Sequence, residues 1–158
     1  MISINQYITE QQSNQKINAP TMAYITLYGK YPLPPIRGHE ISHIGYTIQN
    51  VQIDKHIPEN AINELFNIKQ IETRSSCEGQ DKRHPTFLIL RLKDQTESAA
   101  KIFVNNISKY KDIKSSYDKG MQGKFRICIT SNLWYSLNNI NTFNTWWLEL
   151  PNKIKKSL

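Results

Sequence analysis

Chemistry-bearing side chains crowd into one stretch, Thr73-Arg74-Ser75-Ser76-Cys77-Glu78-Gly79-Gln80, and its continuation Asp81-Lys82-Arg83-His84-Pro85. Thr73, Ser75 and Ser76 offer hydroxyls, and Gly79 permits a positive φ or a close approach of a ligand to the backbone. Arg74, Lys82 and Arg83 supply positive charge. Such a set suits a phosphate, a carboxylate or a nucleotide edge. The competing reading is a polar hairpin connection in which Ser and Gly satisfy turn geometry and the charges are solvated. Cys77 is a candidate nucleophile, because nearby cations lower a thiol pKa and His84 is close enough in sequence to fold back as a base. Cysteines at strand ends are more often packing residues, however, and no third orienting group is evident, so no catalytic residue is assigned.

A second constellation, His39-Glu40-Ile41-Ser42-His43, spells H-E-x-x-H, which in zinc proteases sets two histidines on one helical face with the glutamate as general base. Pro34-Pro35 and Gly38 before it and Gly45 after it leave no long helix to hold such ligands, and Glu59 and Glu64 belong to the exposed side of another helix. Cys77 and Cys128 form no C-x-x-C pair. No metal ligand is therefore expected. A better use for the loop carrying Arg37, Gly38, His39 and His43 is as the wall or lid of a pocket facing the Ser-Ser-Cys turn, the alternative being an ordinary solvated crossover.

A third group is aromatic and basic: Trp134, Tyr135, Phe143, Trp146, Trp147 and the lysines around them. Aromatics beside lysines can stack on bases while the charges follow a phosphate backbone. Trp146, with Leu148 and Leu150, is expected on an inner face, which leaves Trp147 or Trp134 for stacking. Arg126, Cys128 and Thr130, followed by Ser131-Asn132, would form a polar floor for the same pocket.

The run Thr73-Arg74-Ser75-Ser76-Cys77-Glu78-Gly79, directly after a helix and a short turn, resembles the Ser-Ser-Cys-x-Gly signature of the tRNA wybutosine-synthesising protein 3 family. The likeness covers about twenty residues, from Ala61 to Gln80. It implies an S-adenosylmethionine-dependent methyltransferase acting on a modified guanosine in phenylalanine tRNA, with Ser75, Ser76, Cys77 and Gly79 lining a cleft on an α/β scaffold. Gln80 and Asp81 stand where that family commonly has a basic residue.

These groups need elements to hold them. Met22 to Tyr28 has the β-branched and aromatic content of a strand, and Tyr31-Pro32-Leu33-Pro34-Pro35 is an extended connection. Tyr46 to Ile53 alternates as a strand, Asn60 to Ile68 reads as a short amphipathic helix led by Pro58, and Ile71 to Cys77 is a strand. Phe87-Leu88-Ile89-Leu90, apolar on both faces, is a central strand. Asp94 caps the next helix with Glu97 reaching back, and Ala99, Ala100, Phe103, Val104 and Ile107 form its buried stripe. Ile113 to Tyr117, Phe125 to Thr130 and Thr145 to Leu150 read as further strands, and Lys153, Lys155 and Lys156 close the chain as a basic turn of helix. The fold class is α+β, a ferredoxin-like β-α-β-β-α-β core with extra strands extending the sheet.

A chain of 158 residues, 39% hydrophobic and 21% charged, supports one core and is short for two, so residues 21–158 are read as one domain behind an N-terminal arm at 1–20 that is either flexible or an edge segment. No apolar run approaches the ~20 residues needed to cross a bilayer and no leader pattern stands at Met1, so no membrane contact and a cytoplasmic protein are expected. A net charge of +7 favours acidic partners. Heavy use of Asn, Ile and Lys suggests an AT-rich coding source, such as a low-GC bacterium or its phage.

The expectation is a protein that binds a nucleotide-like small molecule or RNA at Ser75, Ser76, Cys77 and Gly79. Arg74, Arg126 and His39 would neutralise charge and Trp147 would stack. The alternatives are methyl transfer from S-adenosylmethionine to RNA, and a phage-encoded anti-defence protein that sequesters a host nucleotide signal, with its site at a homo-oligomer interface.

Overall fold

The computed structural model describes residues 3–11, 17–39, 43–120 and 123–158. In chain order its elements are α1 (Ile4–Gln11), α2 (Ala19–Tyr28), β1 (Ile44–Ile48), β2 (Val51–Asp54), α3 (Glu59–Phe66), β3 (Ile71–Cys77), β4 (Phe87–Leu92), α4 (Glu97–Ile107), β5 (Lys114–Lys119), β6 (Phe125–Thr130) and α5 (Ile140–Ser157). This is an α+β protein. None of its described helices is long and apolar enough to cross a membrane.

The sequence of β4 dictates the layering. Leu88 and Leu90 point, with Ile127 and Ile129 of β6, into a core closed by α3, α4 and α5, whereas Phe87 and Ile89 join Cys77 and Cys128 beneath α1 and α2. A strand that is apolar on both faces must be covered on both. Each such side chain contributes about 1.5–3 kcal/mol on burial, so β4 belongs at the centre of the sheet, which is antiparallel throughout and runs β3-β4-β6-β5. Strands β4 and β5 both pair antiparallel to β6 and hence run parallel to each other, with α4 as their crossover.

One split β-α-β unit is therefore present, but the predicted order differs elsewhere. Tyr46 to Ile53 is two strands, because Gln49 (φ 49°) and Asn50 (φ 66°) reverse the chain in a tight hairpin. That hairpin, β1-β2, is a sheet of its own. Phe125 to Thr130 inserts between β4 and β5 instead of extending an edge. Thr145 to Leu150 is helical: Phe143, Trp146, Trp147, Leu150 and Ile154 recur at helical spacing along the buried side of α5, which puts Leu148 on the solvent side. Lys155 and Lys156 occupy its last turn.

Met22 to Tyr28 is also helix, not strand. Asn18 Oδ1 accepts from Thr21 N at 2.9 Å, Pro20 sits in the first turn, and Gly29 (φ 71°) ends the helix by donating its N–H to Ile25 O at 2.8 Å. The two caps and the burial of Met22, Ala23 and Ile25 outweigh β propensity. Before it, Ser3 and Gln6 exchange side-chain hydrogen bonds at 3.2 Å in a capping box that starts α1, and Ile4 and Ile17 are buried. A boundary at residue 20 falls inside α2. In α4 the predicted stripe is buried at Ala100, Phe103, Val104 and Ile107 and half-buried at Ala99, but Thr96 is the cap: its hydroxyl accepts from Ala99 N at 3.1 Å, and Asp94 braces Thr96.

Candidate functional site

Cys77 ends β3, and the chain then folds back within a few residues because Gly79 takes φ 83°. A Cβ there would lie 2.7 Å from Thr86 N, 2.8 Å from Trp134 Cβ and 2.9 Å from His84 O. The position therefore admits only glycine. Gln80 N donates to His84 O at 2.9 Å, and Asp81 Oδ1 accepts from Arg83 N and His84 N at 3.0 and 2.9 Å. These bonds fold residues 80–84 so that His84 Nε2 lies 3.5 Å from Cys77 Sγ.

The chain has four histidines, and all of them gather at this turn. The loop after α2 brings His39, whose Nε2 is 2.7 Å from Cys77 Sγ and 3.0 Å from Asp54 Oδ2 at the end of β2. Asp54 Oδ2 also accepts from Glu78 N at 2.8 Å, which locks the hairpin to the end of β3. Beside this group Glu78, only 1% exposed, meets His56 Nδ1 at 3.1 Å and His43 Nδ1 at 3.3 Å, and accepts from His56 N at 3.2 Å. A carboxylate this deep requires such partners. Tyr135 stacks on the His56 ring at 3.6 Å between centroids and donates its N–H to Glu78 O at 2.9 Å, closing the far side.

The loop with His39 and His43 thus does face the Ser-Ser-Cys turn. Residues 40–42, including Glu40 of the H-E-x-x-H run, lie outside the described residues. Glu59 and Glu64 are exposed on α3, as the sequence indicated.

The arrangement is unlike a thiol-imidazole-carboxylate triad. In a triad the acid orients the imidazole through one ring nitrogen while the other takes the nucleophile's proton. Here Cys77 Sγ and Asp54 Oδ2 both crowd the same nitrogen, Nε2 of His39, and Nδ1 is against the Gln80 side-chain amide. Burial pushes the Cys77 thiol well up, opposed by the Gly79 N–H that donates to Sγ at 3.4 Å and reinforced by Asp54 and Glu78. A thiol held neutral is a poor nucleophile. Burial, with the neighbouring His39 ring, lowers His84 to about 4, so His84 is neutral at pH 7. His39, Cys77 and His84 present ligand atoms that all lie within 4.8 Å of one another. The expectation of no metal ligand, drawn from local spacing, did not foresee this set.

Other predicted site residues are distributed differently. Ser75 pairs with Ile89 and shares the α2 face of the sheet with Cys77, whereas Ser76 pairs with Leu88 and points to the opposite face. Ser76 Oγ is buried there with no hydrogen-bond partner among the described residues. Arg74 is exposed at the β3 bulge and lies near Arg91, whose pKa is lowered by burial and then by Arg74 and Arg126. Arg126 lies four residues back along β6 from the Cys77 end, about 13 Å. Its guanidinium is held by Asp118 at 2.9 and 2.5 Å and donates to Ile17 O at 3.2 Å. Trp147 is 0% exposed, and its Nε1–H donates to Thr86 Oγ1 at 3.1 Å, so it has no free face on which a ligand could stack. Thr130 and Cys128 are buried as well, and Thr130 Oγ1 donates to Thr86 O at 2.7 Å. They form core, not a pocket floor.

A cleft of about 520 Å³ opens beside His84, between the proline loop (Pro34, Ile36, Arg37) and the turn carrying Gln80 and Arg83. Arg83 donates to Pro34 O across it, and Asn18 Nδ2 donates to Ile36 O at 2.7 Å, fixing the proline wall to the start of α2.

Asp54, His56 and Glu78 are site residues that sequence reasoning missed. The usable signal was the confinement of every histidine, and of Cys77, to residues 39–84 of the chain. Comparison with family models, with curated proteins and with solved structures yields no match.

Proposed function

We propose that the protein binds a nucleotide-like, phosphate-bearing ligand in the cleft between the proline loop and residues 80–84. The observation that carries this reading is the cleft itself: two exposed arginines, Arg37 and Arg83, stand on facing walls beside His84 and the histidine cluster. Its volume of about 520 Å³ is the size of an ordinary small-ligand site. The net charge of +7 draws anions toward it. Arginine forks suit phosphate oxygens, and each charge-assisted contact contributes about 1.5–3 kcal/mol. Relative to the sequence expectation, the anion-binding role moves from Arg74 and Arg126 to Arg37 and Arg83. The split β4-α4-β5 unit is what supports reading the sheet as a ferredoxin-like variant.

The test is calorimetric titration of the full chain with ATP, a cyclic dinucleotide, S-adenosylmethionine and bulk tRNA. Binding of a nucleotide that weakens about tenfold or more in Arg37→Ala and again in Arg83→Ala, with unchanged thermal stability, supports the reading. Preferential tRNA or S-adenosylmethionine binding would move the assignment to RNA or to methyl transfer. Absence of binding by all four, or a double variant that binds as tightly as the parent, would overturn it.

A further inference from the structure

We propose that His39 Nε2, Cys77 Sγ and His84 Nε2, with Asp54 Oδ2 as fourth donor, form a binding site for a zinc-class divalent metal ion. The proposal goes beyond the anion-binding reading and is independent of it, since metal content is measured without any nucleotide.

The spacing carries the argument. A tetrahedral zinc with a Zn–S bond of about 2.3 Å and Zn–N and Zn–O bonds of about 2.0–2.1 Å separates sulfur from nitrogen by about 3.5 Å and nitrogen from oxygen by about 3.3 Å. His84 Nε2 is 3.5 Å from Cys77 Sγ, and Asp54 Oδ2 is 3.0 Å from His39 Nε2. His39 Nε2, 2.7 Å from Sγ, needs to withdraw by less than about 1 Å, and it is carried on a loop. The sulfur and the two imidazole nitrogens lie within 4.8 Å of one another, and Asp54 Oδ2, 3.0 Å from His39 Nε2, stands outside that set and moves in to complete the four donors.

The surroundings fit the same ion. Sulfur with imidazole favours zinc over magnesium or calcium, which take oxygen shells. Gly79 N–H donates to Sγ, and Glu78 N–H donates to the Asp54 carboxylate, so both anionic donors are oriented by backbone. The Gln80 amide abuts His39 Nδ1 and, turned so that its oxygen accepts from Nδ1–H, leaves Nε2 unprotonated for the metal. As the Zn–S bond forms, the thiol proton leaves to solvent. The ligands come from the proline loop, the end of β2, and the end of β3 with the turn that follows it, so the metal would tie together three segments far apart in sequence. The H-E-x-x-H spacing is not the basis of the site: His39 takes part, but His43 is turned to Glu78.

Purified protein comprising all 158 residues, never exposed to chelator, is assayed for metal by inductively coupled plasma mass spectrometry and then titrated as apoprotein with Co(II) and Zn(II). The expected result is near-stoichiometric zinc and, with Co(II), a thiolate-to-cobalt charge-transfer band that Zn(II) displaces. Cys77→Ser abolishes that band and Cys128→Ser keeps it. Should Cys77→Ser not fold, His39→Gln on the surface loop serves instead. It lowers Zn(II) affinity more than about a hundredfold, and Gln80→Ala does so about tenfold to a hundredfold with the band retained. A protein without zinc that shows no cobalt band, a band that survives Cys77→Ser, or Zn(II) affinity unchanged in His39→Gln, would each overturn the proposal.

Discussion

Replacing Gly79 by alanine separates two costs that the structure assigns to different atoms. The first is conformational, since a side chain at φ 83° disfavours the left-handed region by about 1–2 kcal/mol. The second is steric. The new methyl would meet Thr86 N at 2.7 Å and His84 O at 2.9 Å, both backbone atoms. Neither can retreat freely, because Thr86 N donates to Leu133 O at 2.7 Å and His84 O accepts from Gln80 N at 2.9 Å. Overpacking of this kind costs about 1–3 kcal/mol. Gly29→Ala is the internal control: its φ is 71°, but nothing lies within 4 Å of the added methyl. Gly29→Ala should therefore lose about 1–2 kcal/mol and Gly79→Ala about 2–5 kcal/mol. For a chain of this size the difference corresponds to about 2–12 °C in Tm. Urea unfolding of both variants, with m-values compared to confirm the same denatured state, measures it. Equal losses in the two variants would refute the claim that the Gly79 turn is closed by contact with the 84–86 backbone.

Two further substitutions probe how the site is anchored. Thr86→Val keeps shape but removes the hydroxyl that donates to Cys77 O at 2.6 Å and accepts from Trp147 Nε1. Two buried groups left unpaired at about 1–3 kcal/mol each predict a loss of about 2–6 kcal/mol by chemical denaturation, and a loss below about 1 kcal/mol would contradict the hydrogen-bond assignment. Asp118→Asn, at a site 3% exposed, strands the Arg126 guanidinium near Arg91 and should cost about 3–5 kcal/mol, most of it recovered when Arg126→Met is added. Failure of the double variant to recover stability would show that Asp118 is buried for a reason other than its pairing.

The parts of the fold that were legible in the sequence are those whose pattern is decided locally. Helix α3, strands β3, β4 and β6, and the buried stripe of α4 follow from periodicity alone, and tertiary packing agrees with it. Misread segments are those where residue type and position disagree. Met22 to Tyr28 is rich in residues that favour strands, yet Asn18, Pro20 and Gly29 are start and stop signals of a helix, and the caps prevail. In α5 the tryptophans look like strand residues, while the intervals from Phe143 through Ile154 belong to a helix. The site divides in the same way. Cys77, Gly79 and His39 stand out by local chemistry, but Asp54 and Glu78 acquire meaning only when the β1-β2 hairpin docks beside β3. Arg126 and Trp147 stand out by type as well, but a buried carboxylate partner and a core position already engage them.

Hydrogen bonds run from Trp147 through the Thr86 hydroxyl to the carbonyl of Cys77, while Trp134 packs its Cβ where Gly79 leaves room. The remaining tryptophan, Trp146, donates instead to Asp112 O, in the segment that leads into β5. Indole emission responds to changes in hydrogen bonding and local field, so two of the chain's three tryptophans serve as optical reporters of whatever happens at Cys77. Occupancy of the site can thus be followed in unlabelled protein by intrinsic fluorescence, in which Trp146 shares, because its ring lies 5.2 Å from that of Trp147 between centroids.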